Sequence, residues 1–289
     1  MKIWIDGQLL DEAQAKVSVF DHGLLYGDGV FEGIRVYSGR IFELRAHLVR
    51  LYESAKAIRL DIPMTLEELS EVTEKTVNAN EISDGYIRLI VTRGVGTLGL
   101  DPFLCKKPSV IIIADKIQLY PEEFYEKGMK VISSATMRIH PMSLPPQIKS
   151  LNYLNNICAT MDAIEHGVQE ALMFNHLGYL AEASGDNVFV VKNGILYTPP
   201  TEAGALNGIT RSIVIELAKQ QGLPVIEKDI ARFELYVCDE CFLTGTAAEV
   251  IGVVEIDGRV VGNGKPGPIT ARLRKLFYEY AHGRKPENS

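Results

Sequence analysis

Lys149 lies in "SLPPQIKSLNYLNN", between a double proline and an asparagine-rich helix start, with no acidic residue in the stretch to pair with it. A lysine amine attacks carbonyls once burial or neighbouring positive charge disfavours its ammonium form. Three other places carry matching chemistry. Glu182 sits in "YLAEASGDNVF", a strand context in which a carboxylate has no obvious structural purpose. "LNGITR" opens a helix at Ile209 and Thr210, offering N–H donors and a hydroxyl to an anion. Thr246, in "FLTGTAAE", ends a small-residue strand and can donate again. Singly each is ordinary, since most lysines are solvated surface cations and most helix starts bind no anion. Together they supply what pyridoxal phosphate (PLP) chemistry needs: an amine for a Schiff base, a partner for the pyridine nitrogen and a seat for the phosphate.

The elements that must position these residues are legible from periodicity. "VFEGIRVY", "YIRLIVTR" and "SVIIIA" read as strands. In "LRAHLVRLYESAKAIRL", Leu44, Leu48, Leu51, Ala55 and Ile58 recur at steps of four and three, one apolar helical stripe. Arg50 sits at the edge of that stripe, where a guanidinium can turn inward. Thr65 and Glu68 form a capping box for a second helix running to about Asn78. Further on, a helix is expected from about Tyr153 to His166, then the strand "EALMFN", a meander through "GYLAEASGDNVFVVKNGILYTPP", and the helix "ITRSIVIELAKQQG". "VVEIDGRVV" reads as a hairpin on an Asp-Gly turn, and a last helix starts near Pro268 and loses its pattern at His282. A length of 289 residues fits about two domains. The division is a smaller N-terminal α+β domain over 1–117, a linker over 118–127 and a larger C-terminal cofactor-binding domain over 128–289.

Composition removes several function classes. A net charge of −7 argues against nucleic acid as the main partner, because neutralising phosphates needs clustered Lys and Arg. No apolar run approaches membrane-spanning length, and Met1 opens directly onto a strand-like "KIWIDG" without a signal peptide. Four cysteines without a small-scaffold spacing read as reduced thiols of a cytoplasmic protein. Cys238 and Cys241 form a C-x-x-C, but a zinc site needs a second ligand pair and the histidines are scattered, so they read as small core residues and no metal is expected. "RGVGTLGLDP" contains G-x-G-x-x-G at Gly94, Gly96 and Gly99 after a strand. A dinucleotide site requires the last glycine to open a helix, whereas "LDPFLCKKP" follows with two prolines.

"VFDHGLLYGDGVFEGIRVY", "RLYESAK", "YIRLIVTRGVGTLGLDP", "IKSLNYLNN", "EASGDNVFVVKNG", "GITR" and "GTAAE" occur in this order. Over nearly the whole chain this resembles the class IV, PLP-dependent aminotransferases, and most the branched-chain amino-acid aminotransferases. The resemblance implies an α+β fold of two mixed domains, of the D-amino-acid-aminotransferase-like type, with the cofactor between them. It implies ping-pong transamination of leucine, isoleucine and valine with 2-oxoglutarate or glutamate. Lys149 matches the Schiff-base lysine that also shuttles the α-proton, Glu182 the pyridine-nitrogen partner, and Tyr153 the tyrosine on the phenolic oxygen. Arg50, Ile209, Thr210 and Thr246 match the phosphate cradle. Tyr86, with the N–H groups of Thr246 and Ala247, matches the grip on the substrate carboxylate. Tyr26, Leu98 and Leu100 match residues around the site, partly from a neighbouring subunit, which implies a homodimer at least. Ala183 stands where glycine more often follows the acid, and the lysine-to-asparagine spacing is one residue shorter than in some members.

Strand alternation narrows the substrate. Phe31, Gly33 and Arg35 share one strand face, as do Tyr86 and Arg88. A pocket lined by them presents an aromatic wall, a gap at the glycine and two cations, which suits both an aliphatic side chain and a distal carboxylate. D-amino-acid aminotransferases share the lysine and glutamate motifs but carry an Arg and a His in the loop after the tyrosine strand, where "GVGTLGLDP" has neither. Aminodeoxychorismate lyase, of the same class, is a second alternative. A nicotinamide-dependent oxidoreductase and a non-catalytic binding module are distant ones.

Overall fold

In the computed structural model, which describes residues 1–116 and 120–283, the N-terminal strands form a six-stranded antiparallel sheet. They are β1 (Lys2–Ile5), β2 (Gln8–Asp11), β3 (Gly29–Tyr37), β4 (Arg40–Ile41), β5 (Gly85–Thr92) and β6 (Ser109–Asp115), in the order β2-β1-β6-β5-β3-β4. Helices α1 (His22–Tyr26), α2 (Leu44–Ala57) and α3 (Leu66–Ala79) accompany it. Period-2 alternation sorts the two faces. Val30, Ile34 and Val36 of β3, with Ile87, Leu89 and Val91 of β5, are buried against Leu48, Leu51 and Ala55 of α2 and Leu69 and Val77 of α3. The register sets Gly33 opposite Arg88 and Arg35 opposite Tyr86, so Phe31, Gly33, Arg35, Tyr86 and Arg88 share the other face.

The capping box is present, with Glu68 N–H donating to Thr65 Oγ1 and Thr65 N–H to the Glu68 carboxylate. Helix α2 stops one residue short of its sequence stripe. Arg59 turns to φ +53, and the Arg93 guanidinium donates to the carbonyls of Ile58 and Arg59, satisfying the helix end. Helix α1 was not expected from periodicity; at five residues it has none to show, and its signal is Asp21, which caps Gly23 N–H.

The second sheet is mixed. Its members are β7 (Met129–Ser133), β8 (Glu170–Phe174), β9 (Leu180–Ala183), β10 (Asn187–Lys192), β11 (Ile195–Thr198), β12 (Val225–Glu227), β13 (Glu240–Gly245) and β14 (Glu249–Ile256), in the order β12-β11-β10-β13-β14-β7-β8-β9. A short β15 (Arg259–Val260) pairs with β14 across Asp257 and Gly258, both at positive φ, as a two-residue Asp-Gly hairpin requires. The helices are α4 (Glu122–Lys127), α5 (Leu154–Glu165), α6 (Ile209–Gln220), α7 (Arg232–Tyr236) and α8 (Pro268–Ala281). The core gathers Met129, Val131, Leu172, Val188, Leu243, Ile251 and Val253. Cys238 and Cys241 are buried in it as free thiols, and burial pushes the Cys238 thiol up to about 11, as expected of inert core residues.

The chain divides into two compact units, residues 1–117 with 148–153, and 118–147 with 154–289. The sequence division differs in two respects. Residues 118–119 of the expected linker lie outside the described residues, and most of its remainder is α4, which belongs to the second unit. Residues 148–153 join the first unit, because they bond to the open edge of β3. Among the described residues no helix is long and apolar enough to cross a membrane.

Candidate active site

The lysine segment is held like an extra strand. Phe31 N–H donates to Lys149 C=O at 3.0 Å, and Leu151 N–H donates to Gly29 C=O at 2.9 Å. Lys149 N–H donates to Ser54 Oγ on α2 at 3.2 Å. Backbone on both sides of the amine is thereby fixed, while its side chain reaches the charged face of the sheet. Lys149 Nζ donates to Tyr153 Oη at 3.2 Å and lies 4.7 Å from the centre of the Phe31 ring. Phe31 and Tyr153 pack edge to face at 5.0 Å.

On the sheet face that this amine reaches, the first unit places Phe31, Gly33, Arg35, Tyr86 and Arg88, five of the expected substrate residues. Arg88 lies over the Phe31 ring at 4.6 Å and the Tyr86 ring at 5.6 Å; Arg35 lies over Tyr37 at 4.9 Å. One expectation needs correcting. Gly33 leaves no gap in the pocket wall, because the Tyr86 hydroxyl lies against its Cα, where any Cβ would collide with it. The glycine serves to seat the tyrosine. Tyr26 Oη donates to Leu98 C=O at 2.5 Å, tying α1 to the glycine loop, while Leu98 and Leu100 themselves are exposed. That loop runs into a 3₁₀ turn at Pro102–Leu104, so no α-helix start follows the last glycine.

Arg50 stands on the helix-covered side. Its Nε and Nη2 donate to the two oxygens of Glu32 at 2.7 and 2.8 Å, and His47 donates to the same carboxylate at 2.8 Å. Burial alone would raise the Glu32 carboxyl, but Arg50 and His47 outweigh it and hold it at about 2. Neither Glu32 nor His47 was singled out from sequence. The signal was available: Glu32 falls between Val30 and Ile34 on the core face, where an apolar residue belongs.

The second unit gathers the acid and the helix start. Glu182, on β9, is not the purposeless carboxylate that its context implied. Arg138 Nη2 pairs with its Oε1 at 2.7 Å, and Leu206 N–H donates to its Oε2 at 2.8 Å. Arg138, missed from sequence, is held in turn by Asn155 and Asn156 through their Oδ1 atoms at 3.1 and 3.2 Å and by Gly204 C=O. The asparagine run after Lys149 thus orients the arginine that orients Glu182. Asn187 Nδ2 donates to Leu206 C=O at 2.9 Å, and Gly208, the N-cap of α6, packs so closely on Asn187 Oδ1 that a Cβ there would overlap it. Beyond it Ile209 begins the helix with no side-chain cap and no acid in the first turn, and the buried Thr210 Oγ1 has no hydrogen-bond partner among the described residues. Thr246 and Ala247 form the turn between β13 and β14.

These residues fit a phosphorylated pyridine aldehyde on chemistry alone. A buried hydroxyl lacking a partner at an uncapped helix start suits a phosphate, a positioned lysine suits the aldehyde, and a carboxylate anchored by a buried cation suits a ring nitrogen.

The model of the family "Amino-transferase class IV" matches residues 29–256. A putative branched-chain-amino-acid aminotransferase of Methanocaldococcus jannaschii is 50% identical over 277 residues, 96% of this chain and 95% of that protein. The crystal structure of the Escherichia coli branched-chain amino acid aminotransferase has a TM-score of 0.96 at 36% identity, covering 99% of this chain and 96% of that one. The branched-chain amino acid aminotransferase of Thermobaculum terrenum, in its PLP-bound holo form, has a TM-score of 0.88 at 34% identity, covering 98% of this chain and 94% of that one.

Proposed function

Since this chain belongs to the class IV amino-transferase family, we propose that it exchanges amino groups between the branched-chain L-amino acids and 2-oxoglutarate, with PLP as cofactor. The observation that carries this reading is Lys149, fixed by main-chain bonds on both sides with its amine against Tyr153 and Phe31. The cofactor, when bound, supplies an aldehyde that condenses with amines and a ring that accepts the electron pair left on the substrate α-carbon.

The chain's own residues do the rest. Lys149 Nζ would hold the cofactor aldehyde covalently and, once the substrate amine has displaced it, would be free to carry the proton taken from the substrate α-carbon. Tyr153 Oη, at hydrogen-bond distance from that amine, orients it and binds the phenolic oxygen. Glu182, steadied by Arg138 and Leu206 N–H, would keep a proton on the ring nitrogen. Toward a phosphate the first unit would offer Arg50, and the second the N–H groups at Ile209 and Thr210, the Thr210 hydroxyl and Thr246. Toward the substrate carboxylate the first unit would offer Tyr86, seated on Gly33, and the second the N–H groups of Thr246 and Ala247. Phe31 offers an apolar surface to a leucine-like side chain, and Arg88 and Arg35 offer cations to the distal carboxylate of glutamate.

Two copies of the chain form the working unit in this reading. Leu24, Tyr26, Val95, Leu98, Leu100 and Phe103 of the first unit are all exposed, and apolar side chains of this size suit burial against a second copy. A cytoplasmic setting agrees with four free cysteines.

The experiment is a panel of half-reactions. The yellow PLP form is mixed with L- and D-amino acids and its absorbance is followed to the pyridoxamine form. L-Leucine, L-isoleucine, L-valine and L-glutamate should convert it, and D-alanine should not. Conversion by D-alanine but not by L-leucine would move the protein to the D-amino-acid branch of the family.

A further inference from the structure

Glu32 and His47 sit at zero side-chain exposure under the sheet, and of the residues assigned to substrate or cofactor their side chains hydrogen-bond Arg50. A buried ion pair adds little net stability over well-packed apolar residues. Its presence in a core of Val, Ile and Leu therefore calls for another use.

The geometry states one. Glu32 Oε1 accepts from Arg50 Nε, and Oε2 accepts from both Arg50 Nη2 and His47 Nδ1. A bidentate carboxylate fixes the plane of a guanidinium as well as its position. His47 fixes the carboxylate in turn. Its Nδ1–H donates to Glu32, its buried Nε2 has no hydrogen-bond partner among the described residues, and burial lowers the ring's affinity for a second proton. A neutral imidazole thus adds a donor without adding a charge.

The same helix line carries the lysine. His47, Arg50 and Ser54 follow one another at three and four residues along α2, one face of the helix. Ser54 Oγ accepts from Lys149 N–H at 3.2 Å. The strand repeats the link, for Phe31 N–H bonds Lys149 C=O while its neighbour Glu32 grips Arg50. Arginine and lysine are thereby tied to one rigid frame of β3 and α2.

We infer that Glu32 and His47 are positioning residues that hold the Arg50 guanidinium in one orientation for the cofactor phosphate, at a fixed reach from Lys149. This rests on the proposed cofactor role of Arg50. Glutamine at position 32 keeps the shape but presents one acceptor and one donor, so its NH₂ faces the guanidinium and the bidentate hold is lost. An arginine with a loose guanidinium must lose that freedom on binding.

The test compares two ligands that differ only in the phosphate. Apoprotein is titrated with PLP and with pyridoxal, and the imine absorbance is read. Glu32→Gln should weaken PLP about tenfold to a hundredfold and leave pyridoxal within about threefold. His47→Phe, which removes the donor, should shift PLP in the same direction by a smaller factor. His47→Asn, whose amide can donate from nearly the same place as Nδ1, should recover most of the loss. The two His47 variants also carry the test if Glu32→Gln does not fold. A purely structural role would weaken both ligands equally and overturn the inference. So would a gain in PLP affinity for Glu32→Gln, which would mean that the carboxylate mainly subtracts from the arginine's charge. Failure of wild-type apoprotein to bind PLP at all would instead overturn the functional reading beneath it.

Discussion

At the scale of single residues, charge placement decides most of what this protein does. Arg88 lies over Phe31 and Tyr86, so its guanidinium is held by aromatic faces and remains available to a carboxylate. A charge-assisted hydrogen bond there is worth roughly 1.5–3 kcal/mol. Arg88→Met should slow the glutamate half-reaction about tenfold to a hundredfold and leave leucine closer to intact, as measured by single-turnover absorbance. Equal losses would make Arg88 a structural residue. Glu32 makes a different prediction, about acid. Its native carboxyl is held at about 2 against an ordinary 4.5. A lowered native value adds stability that is complete above the unfolded value and fades as pH falls through the native one. Roughly 3 kcal/mol should therefore disappear between about pH 4.5 and pH 2. Urea midpoints over that window should fall more steeply for the wild type than for Glu32→Gln; parallel curves would contradict the pairing.

At the scale of elements, two short stretches support the second unit's proposed chemistry: the loop before α6, and the asparagine turn that starts α5. Gly208 has ordinary backbone angles, φ −68 and ψ 136, so alanine meets no conformational penalty there. Its Cβ meets Asn187 instead. Gly208→Ala should displace the first turn of α6, costing about 1–3 kcal/mol of stability and weakening PLP about tenfold in an absorbance titration. Unchanged affinity would remove the α6 start from the phosphate site. Elements with a repeating pattern were readable from sequence. The stripe Leu44, Leu48, Leu51, Ala55 foretells α2, and Thr65 with Glu68 foretells the start of α3. Helix α4 was not, because one and a half turns with four charges look like a linker. The residues proposed to touch a cofactor stand in local motifs, and motifs survive in sequence. Their supports do not: Arg138 meets Glu182 only after β7, α5 and β9 are folded, and Glu32 meets Arg50 only once α2 lies on β3.

At the scale of the whole molecule, the proposed roles divide between two units. The first holds the amine, the tyrosine bonded to it and the cations of the same sheet face; the second holds the acid and the helix start. The order of the chain supports this division. Lys149 belongs to the first unit, and just past Tyr153 the chain enters the second. The asparagines that follow hold Arg138 and through it Glu182. One short segment therefore links the amine and the support of the acid. The most direct measurement is borohydride reduction of the yellow protein, followed by proteolysis and mass mapping of the phosphopyridoxyl group. The label should fall on Lys149 alone and be absent from Lys149→Ala, which should still bind PLP reversibly. Lys149→Arg should also remain unlabelled, because a guanidinium stays protonated and forms no imine. A label on any other lysine in the wild-type protein would contradict the assignment of the active site.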